Sequence, residues 1–239
     1  METSFNNIIS FIWGIADDVL RDVFLRGQYR DVILPMVVLR RLDVLLEGTK
    51  DKVDAELKEE KEMGMTSIDE DAIKDITGLS YFNTSKWTLQ RIKATASDDN
   101  NLLYDNFAEY LNGYSDNVKD VLKNFDYFQK ARKLADNNRL LSIINKITDP
   151  HINLSNIPTK DPDGLPLPAI DNHTMGTIFE ELLRRFNEEN NEEAGEHFTP
   201  RDAIGLWARL PFEPGKDNLP RDITLRDPAA GSGGMLTEG

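Results

Sequence analysis

The sequence predicts a mainly α-helical protein that changes to an α/β pattern near its C-terminal end. Two observations support this fold class. Apolar residues recur at three- and four-residue spacings through about the first 150 residues, and no alternating strand pattern occurs before Asp149. Near the other end, a short β-prone run leads into a glycine-rich turn. A chain of 239 residues has room for one large domain or two modest ones.

The composition excludes several classes of protein. With 28 Lys and Arg against 42 Asp and Glu, the chain has a formal net charge of −14, so nucleic acid repels it at long range. The absence of cysteine excludes a disulfide framework and a thiolate metal site. No apolar run is long enough to cross a membrane, and the N-terminus lacks a secretion signal. We therefore expect a cytoplasmic protein with no membrane partner.

The first three helices are predicted from hydrophobic periodicity. Apolar residues mark one face of a helix over 5–24, and they occur on most sides of a second helix over 32–46, as expected of a buried element. Pro35 is expected in the first turn of that helix, where a missing N–H costs little. Residues 51–63 are rich in lysine and glutamate and predict a solvated helix ending near Gly64.

Shorter helices are predicted through the rest of this region. Their expected ranges are 69–77, 84–95, 101–112, 115–125 and 137–148. Gly78 and Gly113 stand where helices commonly end, and Ser115 stands where an N-cap belongs. The first 149 residues are thus expected to form an all-helical domain without evident chemistry of its own.

A change of composition predicts the domain boundaries. Five prolines lie in 150–172, which predicts a linker or long loop. A strongly periodic helix over 175–186 follows, and then an acidic loop over 187–196. We therefore expect a helical domain over 1–149, the linker over 150–172, and the beginning of a second domain over 173–239.

A first motif follows the acidic loop and reads Gly195-Glu-His-Phe-Thr-Pro-Arg-Asp202. Thr199 is placed as an N-cap, Pro200 as the first helical residue, and Asp202 as part of a capping box. The apolar residues after it predict a helix to Leu210, stopped by Pro211. Taken alone, this motif indicates only a well-capped helix.

A second motif reads Ile223-Thr-Leu-Arg-Asp-Pro-Ala-Ala-Gly-Ser-Gly-Gly234, in which a predicted strand leads to Asp227 and a glycine turn. Ligands bind beyond the ends of parallel strands, where glycine lets backbone approach closely. No lysine follows as in a P-loop, and the dinucleotide pattern fails at its third glycine. The spacing from Asp227 to Gly231 suits a ligand with an ammonium group and a sulfonium but no phosphate, such as S-adenosylmethionine.

The two motifs together resemble a known family. Glu196-His-Phe-Thr-Pro-Arg201 followed by Asp227-Pro-Ala-Ala-Gly-Ser-Gly-Gly-Met-Leu-Thr-Glu238 is similar to the methylation subunit of type I restriction-modification systems, an adenine-N6 DNA methyltransferase. The first helix with Trp13 and the helix over 32–46 are similar too. The resemblance covers nearly the whole chain and is weakest across 51–135.

The resemblance implies a helical domain that helps to close the assembly around DNA, followed by a class I, Rossmann-like α/β methyltransferase domain. It implies that Asp227 orients the amino group of the cofactor and that the motif before it lines the methionine end. The implied cofactor-binding residues are Glu196, His197, Phe198, Thr199, Pro200, Arg201, Asp227, Pro228, Ala229, Gly231, Ser232, Gly233 and Gly234. His197 has a simpler alternative as a hydrogen-bonded loop histidine.

The sequence departs from the family in one respect. The family's catalytic Asn-Pro-Pro-aromatic motif, which grips the flipped adenine, occurs nowhere in the 239 residues. We therefore expect an N-terminal fragment with a truncated sheet, no catalytic residues before Gly239, and no activity alone. The implied partners are the DNA-specificity and restriction subunits, with DNA bound mainly through the assembled complex.

The sequence leaves two other functions open. One is a non-catalytic helical interaction module that docks on the specificity and restriction subunits, which the complete helical domain and the missing catalytic motif favour. The other is a nucleotide-dependent oxidoreductase beginning at Ile223, which the failed dinucleotide pattern disfavours.

Overall fold

The computed structural model describes residues 2–96, 99–189, 201–210, 213, 224–228, 230 and 236. The chain divides into two compact units, Met1–Met175 and Gly176–Gly239. Secondary structure within the described residues is almost entirely helical, with one two-stranded antiparallel hairpin. None of the described helices combines the length and the apolar character that a membrane span requires.

The helices of the described residues confirm the mainly α-helical prediction. They are α1 Glu2–Leu20, α2 Arg30–Leu46, α3 Lys50–Glu62, α4 Glu70–Thr77, α5 Leu89–Ala94, α6 Asn100–Asn112, α7 Asp116–Asn124, α8 Tyr127–Asp136, α9 Leu140–Ile147, α10 Asn172–Glu189 and α11 Arg201–Arg209. The hairpin pairs β1 Thr159–Lys160 with β2 Pro166–Leu167.

Helix α2 lies at the centre of the first unit, as its apolar character on most sides predicts. It contacts α1, α8 and α9, and its residues Val32 through Val37 are all buried. Pro35, however, is the sixth residue of α2 rather than part of its first turn, because the helix begins earlier than predicted, at Arg30. Its missing N–H therefore falls inside the helix, where the carbonyl of Asp31 loses its usual partner.

Helix α8 was not predicted from the sequence. Its buried positions are Tyr127, Ala131, Leu134 and Ala135. Two of the four are alanines, so the buried face has few of the large apolar residues by which a helix is predicted. The helix also starts without a glycine or proline signal, since Asp126 itself takes the left-handed conformation with φ 51°. Helix α5 is shorter than predicted and begins at Leu89, where the Thr88 hydroxyl caps the N–H of Arg91 at 3.1 Å.

The predicted helix start at 84 is wrong because residues 82–85 pair with residues 113–115 instead. The amide of Thr84 donates to the Gly113 carbonyl at 2.8 Å, and the amide of Ser115 donates to the Phe82 carbonyl at 3.1 Å. These bonds flank an isolated antiparallel bridge between Asn83 and Tyr114. The pairing joins two connections that lie on either side of α5 and α6.

The glycines and the serine predicted as caps serve different purposes. Gly78 ends α4 in the left-handed conformation, φ 65°, as predicted. Gly113 ends α6 at φ −71°, a conformation that any residue can adopt. Glycine is required there because a Cβ would lie 2.3 Å from Asn83 Oδ1. Ser115 precedes α7, but its hydroxyl accepts from the Phe82 amide at 3.3 Å and does not cap the helix.

Arg41 connects α2 to the segment 150–172. Its Nη1 donates to the carbonyls of Leu154 at 2.6 Å and Ile170 at 2.8 Å, and its Nη2 donates to Asn172 Oδ1 at 2.9 Å. The side chain is 6% exposed, so these bonds form away from water. Parts of the expected linker are thus held against α2. The boundaries at 149 and 172 themselves stay predictions.

Asp43 lies two residues further along α2 and is also buried. One oxygen accepts from the Leu89 amide at 3.3 Å, and the other lies 3.6 Å from Arg40 Nη1. Burial raises the pKa of Asp43 to about 6, although Arg40, the Leu89 amide and Tyr110 oppose that rise. Burial likewise raises the pKa values of Tyr110 and Tyr114, whose hydroxyls are 2.7 Å apart.

The buried carboxyl predicts a pH dependence of stability. Because the pKa of Asp43 is higher in the folded chain than its ordinary value of 3.8, ionisation disfavours folding. The cost is absent below about pH 4 and is complete above about pH 6. Asp43→Asn cannot ionise, and its amide oxygen can still accept from Leu89. Relative to the unchanged protein, this variant should gain about 3 kcal/mol between pH 4 and pH 7.

Urea denaturation of both proteins from pH 4 to pH 8 tests this prediction. Subtracting the two curves removes the contributions of carboxylates with lowered pKa values, such as Asp149 and Glu181, because both proteins share them. A difference that stays constant across this pH range would contradict the prediction.

Candidate cofactor site

Helix α10 carries the chain into the second unit. Within that unit, its residues Ile178, Leu182 and Phe186 are spaced by four and are almost completely buried. They lie on one helical face, so the predicted periodic helix is confirmed. It begins at Asn172, three residues earlier than the apolar pattern shows, after Asp171 Oδ1 has accepted from the Thr174 amide at 2.7 Å.

The paired arginines of α10 are neutralised by acids on the same helix. Arg184 donates to both oxygens of Glu181 at 2.7 and 2.8 Å and also pairs with Glu188, while Arg185 donates to Glu181 at 2.9 Å. These partners lower the pKa of Glu181 and raise that of Arg184. The other arginine pair, residues 40 and 41, is largely buried in α2. Neither pair therefore presents an uncompensated charge to a phosphate.

Helix α11 confirms the helix predicted after the first motif. It spans Arg201–Arg209, and the Leu210 amide still donates to the Leu206 carbonyl at 3.1 Å. Ile204 is buried, but Leu206, Trp207 and Leu210 are each more than half exposed. The predicted cap at Thr199 and the first helical position at Pro200 lie outside the described residues.

The strand predicted before the glycine turn is not formed by the described residues of that run. Residues 224–227 have no strand assignment, and the side chains of Thr224, Leu225 and Arg226 are exposed. A strand is defined by the neighbour that it bonds to, and no described segment pairs with this run. Asp227 is half-buried, and Pro228, which follows it, is exposed.

The structure describes only three of the thirteen predicted cofactor residues. These are Asp227, Pro228 and, for its backbone alone, Arg201. The other positions lie outside the described residues: Glu196, His197, Phe198, Thr199, Pro200, Ala229, Gly231, Ser232, Gly233 and Gly234. The grouping of all thirteen residues around one ligand therefore stays a prediction.

The described part of this site contains one carboxylate, that of Asp227. A half-buried carboxylate at Asp227 can accept hydrogen bonds from an ammonium group, and partial burial strengthens such bonds. No metal-binding group of residues is found around Asp227 among the described residues.

Sequence reasoning missed the buried polar residues of the first unit. Arg41 and Asp43 make contacts that connect α2 to distant parts of the chain, and neither was identified as more than a charged helix position. A usable signal was present, because charged residues within a helix that is apolar on most sides must be buried with partners.

Two protein-family models match the chain. The model described as the HsdM N-terminal domain matches residues 8–147, which is more than half of the chain. The model described as N-6 DNA methylase matches residues 170–239. The two matches follow the same order as the two predicted domains. No curated protein and no solved structure matches the chain.

Proposed function

The chain belongs to the methylation subunits of type I restriction-modification systems, which are adenine-N6 DNA methyltransferases, and on this premise we propose that it binds S-adenosylmethionine through residues 196–201 and 227–234. The observation that carries this proposal is the tandem match, in which the helical domain precedes the methylase domain and only residues 148–169 lie between the two matches.

Each part of the proposed site has a separate role. The Asp227 carboxylate accepts from the amino group of the cofactor's methionine part, and its half-burial supports that role. Gly231, Gly233 and Gly234 let the backbone pass close to the ligand, since a side chain at these positions would occupy the same space. Residues 196–201 line the methionine end. S-adenosylmethionine supplies the methyl group that the family transfers to adenine.

Transfer of the methyl group requires more than these residues supply. The adenine must be taken out of the stack and its amino nitrogen aligned with the methyl group. The 239 residues contain no Asn-Pro-Pro-aromatic motif to do this, and both arginine pairs are occupied internally. We therefore propose that DNA is engaged through a DNA-specificity subunit and that a restriction subunit joins the same assembly.

A non-catalytic role in assembly is the second candidate. The first unit is a well-packed helical body with a buried polar network, and its described residues hold no cofactor motif. Such a unit suits docking on partner subunits. The two functions are compatible, because one belongs to the helical domain and the other to the methylase domain.

One experiment with tritiated S-adenosylmethionine tests the cofactor proposal. The 239-residue chain should bind the cofactor weakly, as measured by equilibrium dialysis, and should transfer no tritium to unmodified DNA. Asp227→Asn should weaken binding about tenfold, because it replaces a charge-assisted hydrogen bond by a neutral one of roughly half the strength. Gly233→Val should abolish binding through steric exclusion.

Asp120→Asn is the matched control, since Asp120 is an exposed carboxylate at the surface of α7 that pairs with Lys123 in the described part of the chain. It should leave cofactor binding unchanged. Unchanged affinity in Gly233→Val would refute the assigned site. Incorporation of tritium into DNA by the 239 residues alone would show that catalytic groups other than the missing motif are present.

A further inference from the structure

Three potential metal ligands converge in the segment 150–172. Ligand atoms of His151, Asp161 and Asp163 all lie within 4.8 Å of one another. We propose that this cluster binds a divalent transition-metal ion of the Zn²⁺ type, through one imidazole nitrogen and two carboxylates. The cluster lies in the first unit and involves none of the proposed cofactor residues.

The imidazole of His151 is oriented by a neighbouring carboxylate. Asp149 Oδ1 lies 2.7 Å from His151 Nδ1 and also accepts from the His151 amide at 2.9 Å. When Nδ1 donates its proton to Asp149, Nε2 keeps a free lone pair. Metal-binding histidines have this arrangement, in which an outer carboxylate fixes the tautomer and raises the basicity of the ring.

A tight turn holds the first of the two carboxylates. Between β1 and β2, the Leu165 amide donates to Asp161 Oδ1 at 2.7 Å, and the Asp161 amide donates to the Leu165 carbonyl at 3.0 Å. Gly164 closes the turn at φ +83°, a conformation that favours glycine. One oxygen of Asp161 is therefore fixed by the turn, which leaves the other oxygen for a ligand.

The cluster has an excess of negative charge. Within the described chain, neither Asp161 nor Asp163 forms an ion pair with a lysine or arginine. A divalent ion bound between these side chains would balance the two negative charges.

The surroundings leave room for an ion with water ligands. A cavity of about 330 Å³ borders the cluster and is lined by His151, Asp161, Asn153 and Leu165, among others. Zinc bonds to nitrogen and oxygen are about 2.0–2.2 Å long, so ligand atoms around one ion are roughly 3.5 Å apart. His151 and Asp163 are exposed and Asp161 is half-buried, so rotation of the side chains can move the ligand atoms the remaining distance of about 1 Å. A mixed nitrogen and oxygen set favours Zn²⁺ over Mg²⁺.

Calorimetric titration of the tag-free 239-residue chain with ZnCl₂ at pH 7.5 tests the proposal. We expect one saturable site per chain, and no saturable heat when MgCl₂ is titrated instead. His151→Gln and Asp163→Asn should each weaken Zn²⁺ binding at least about tenfold, and Asp149→Asn should weaken it about 10- to 100-fold through loss of the outer carboxylate.

His173→Gln and Asp120→Asn are the matched controls, and both should keep the affinity of the unchanged chain. Circular dichroism of each variant verifies that the helices are intact, so that a loss of Zn²⁺ binding cannot be attributed to unfolding. Equal Zn²⁺ binding in His151→Gln would overturn the proposal. So would the absence of a saturable Zn²⁺ site, or displacement of Zn²⁺ by equimolar Mg²⁺, which would indicate only an acidic surface.

Discussion

Replacement of Gly113 by alanine should lower the free energy of unfolding by about 3 kcal/mol, at the upper end of the cost of overpacking. The added Cβ would lie 2.3 Å from Asn83 Oδ1, 2.5 Å from Ser85 Cβ and 2.6 Å from the Ser85 amide nitrogen. Two of these atoms belong to or adjoin the backbone, so they cannot move away by a change of rotamer.

The displacement would also disturb buried hydrogen bonds. Asn83 Nδ2 donates to the Tyr110 carbonyl at 3.0 Å, and Asn83 Oδ1 accepts from the Ser85 amide at 2.8 Å. Urea denaturation measures the effect. Gly14→Ala is the matched control, because a Cβ at that position in α1 meets nothing within 4 Å and should be neutral or stabilising. Equal stability of the two variants would contradict the close approach at Gly113.

Replacement of Arg41 by methionine should cost about 3–5 kcal/mol, the range expected when one partner of a buried polar network is removed. The variant leaves the carbonyls of Leu154 and Ile170 and the amide oxygen of Asn172 without their donor. Each buried acceptor that loses its bond costs about 1–3 kcal/mol. Methionine fills a similar volume, so the loss reports on hydrogen bonds rather than on a cavity.

Limited proteolysis distinguishes this effect from general instability. In Arg41→Met, cleavage within 150–172 should become faster than cleavage within α2 through α9, because the segment loses its attachment. Arg132→Met is the control, since Arg132 is a partly exposed arginine that contacts Asp136, Asn101 and the Tyr104 ring, and its loss should cost less than that of Arg41 because its partners stay accessible to water. Arg41→Lys should be intermediate, because a single ammonium nitrogen cannot occupy the positions of both Nη1 and Nη2. Cleavage of 150–172 at the unchanged rate in Arg41→Met would refute this role.

The elements predicted correctly are those with large apolar residues at helical spacing. Helices α1, α2 and α10 have isoleucine, leucine, valine or phenylalanine on their buried faces, so one residue pattern was enough. Helix α8 has alanines at two of its four buried positions, which local periodicity does not distinguish from a solvated segment. Helix α2, which packs against α8, is distant from it in sequence, so this contact is seen only in the folded chain.

The candidate site shows the same division between local and distant information. The two motifs carried enough information to predict the family, because their residue types and their order along the chain are specific. Whether residues 224–227 form a strand depends on neighbours elsewhere, and the local β-propensity of Thr224 and Leu225 did not decide it. Gly113 was predicted as a helix end for the same local reason, whereas its actual constraint comes from Asn83, 30 positions away.

The reach of Arg41 has a consequence during protein synthesis. Its last acceptor, Asn172, is 131 positions later in the chain, so α2 leaves the ribosome well before that partner exists. At about 5–20 residues per second, the interval is roughly 7–26 seconds. Until Leu154, Ile170 and Asn172 have all been made, the guanidinium lacks part of its native set of acceptors. Because an unpaired charge is costly to bury, we expect this part of α2 to complete its packing only after the first residues of α10 emerge.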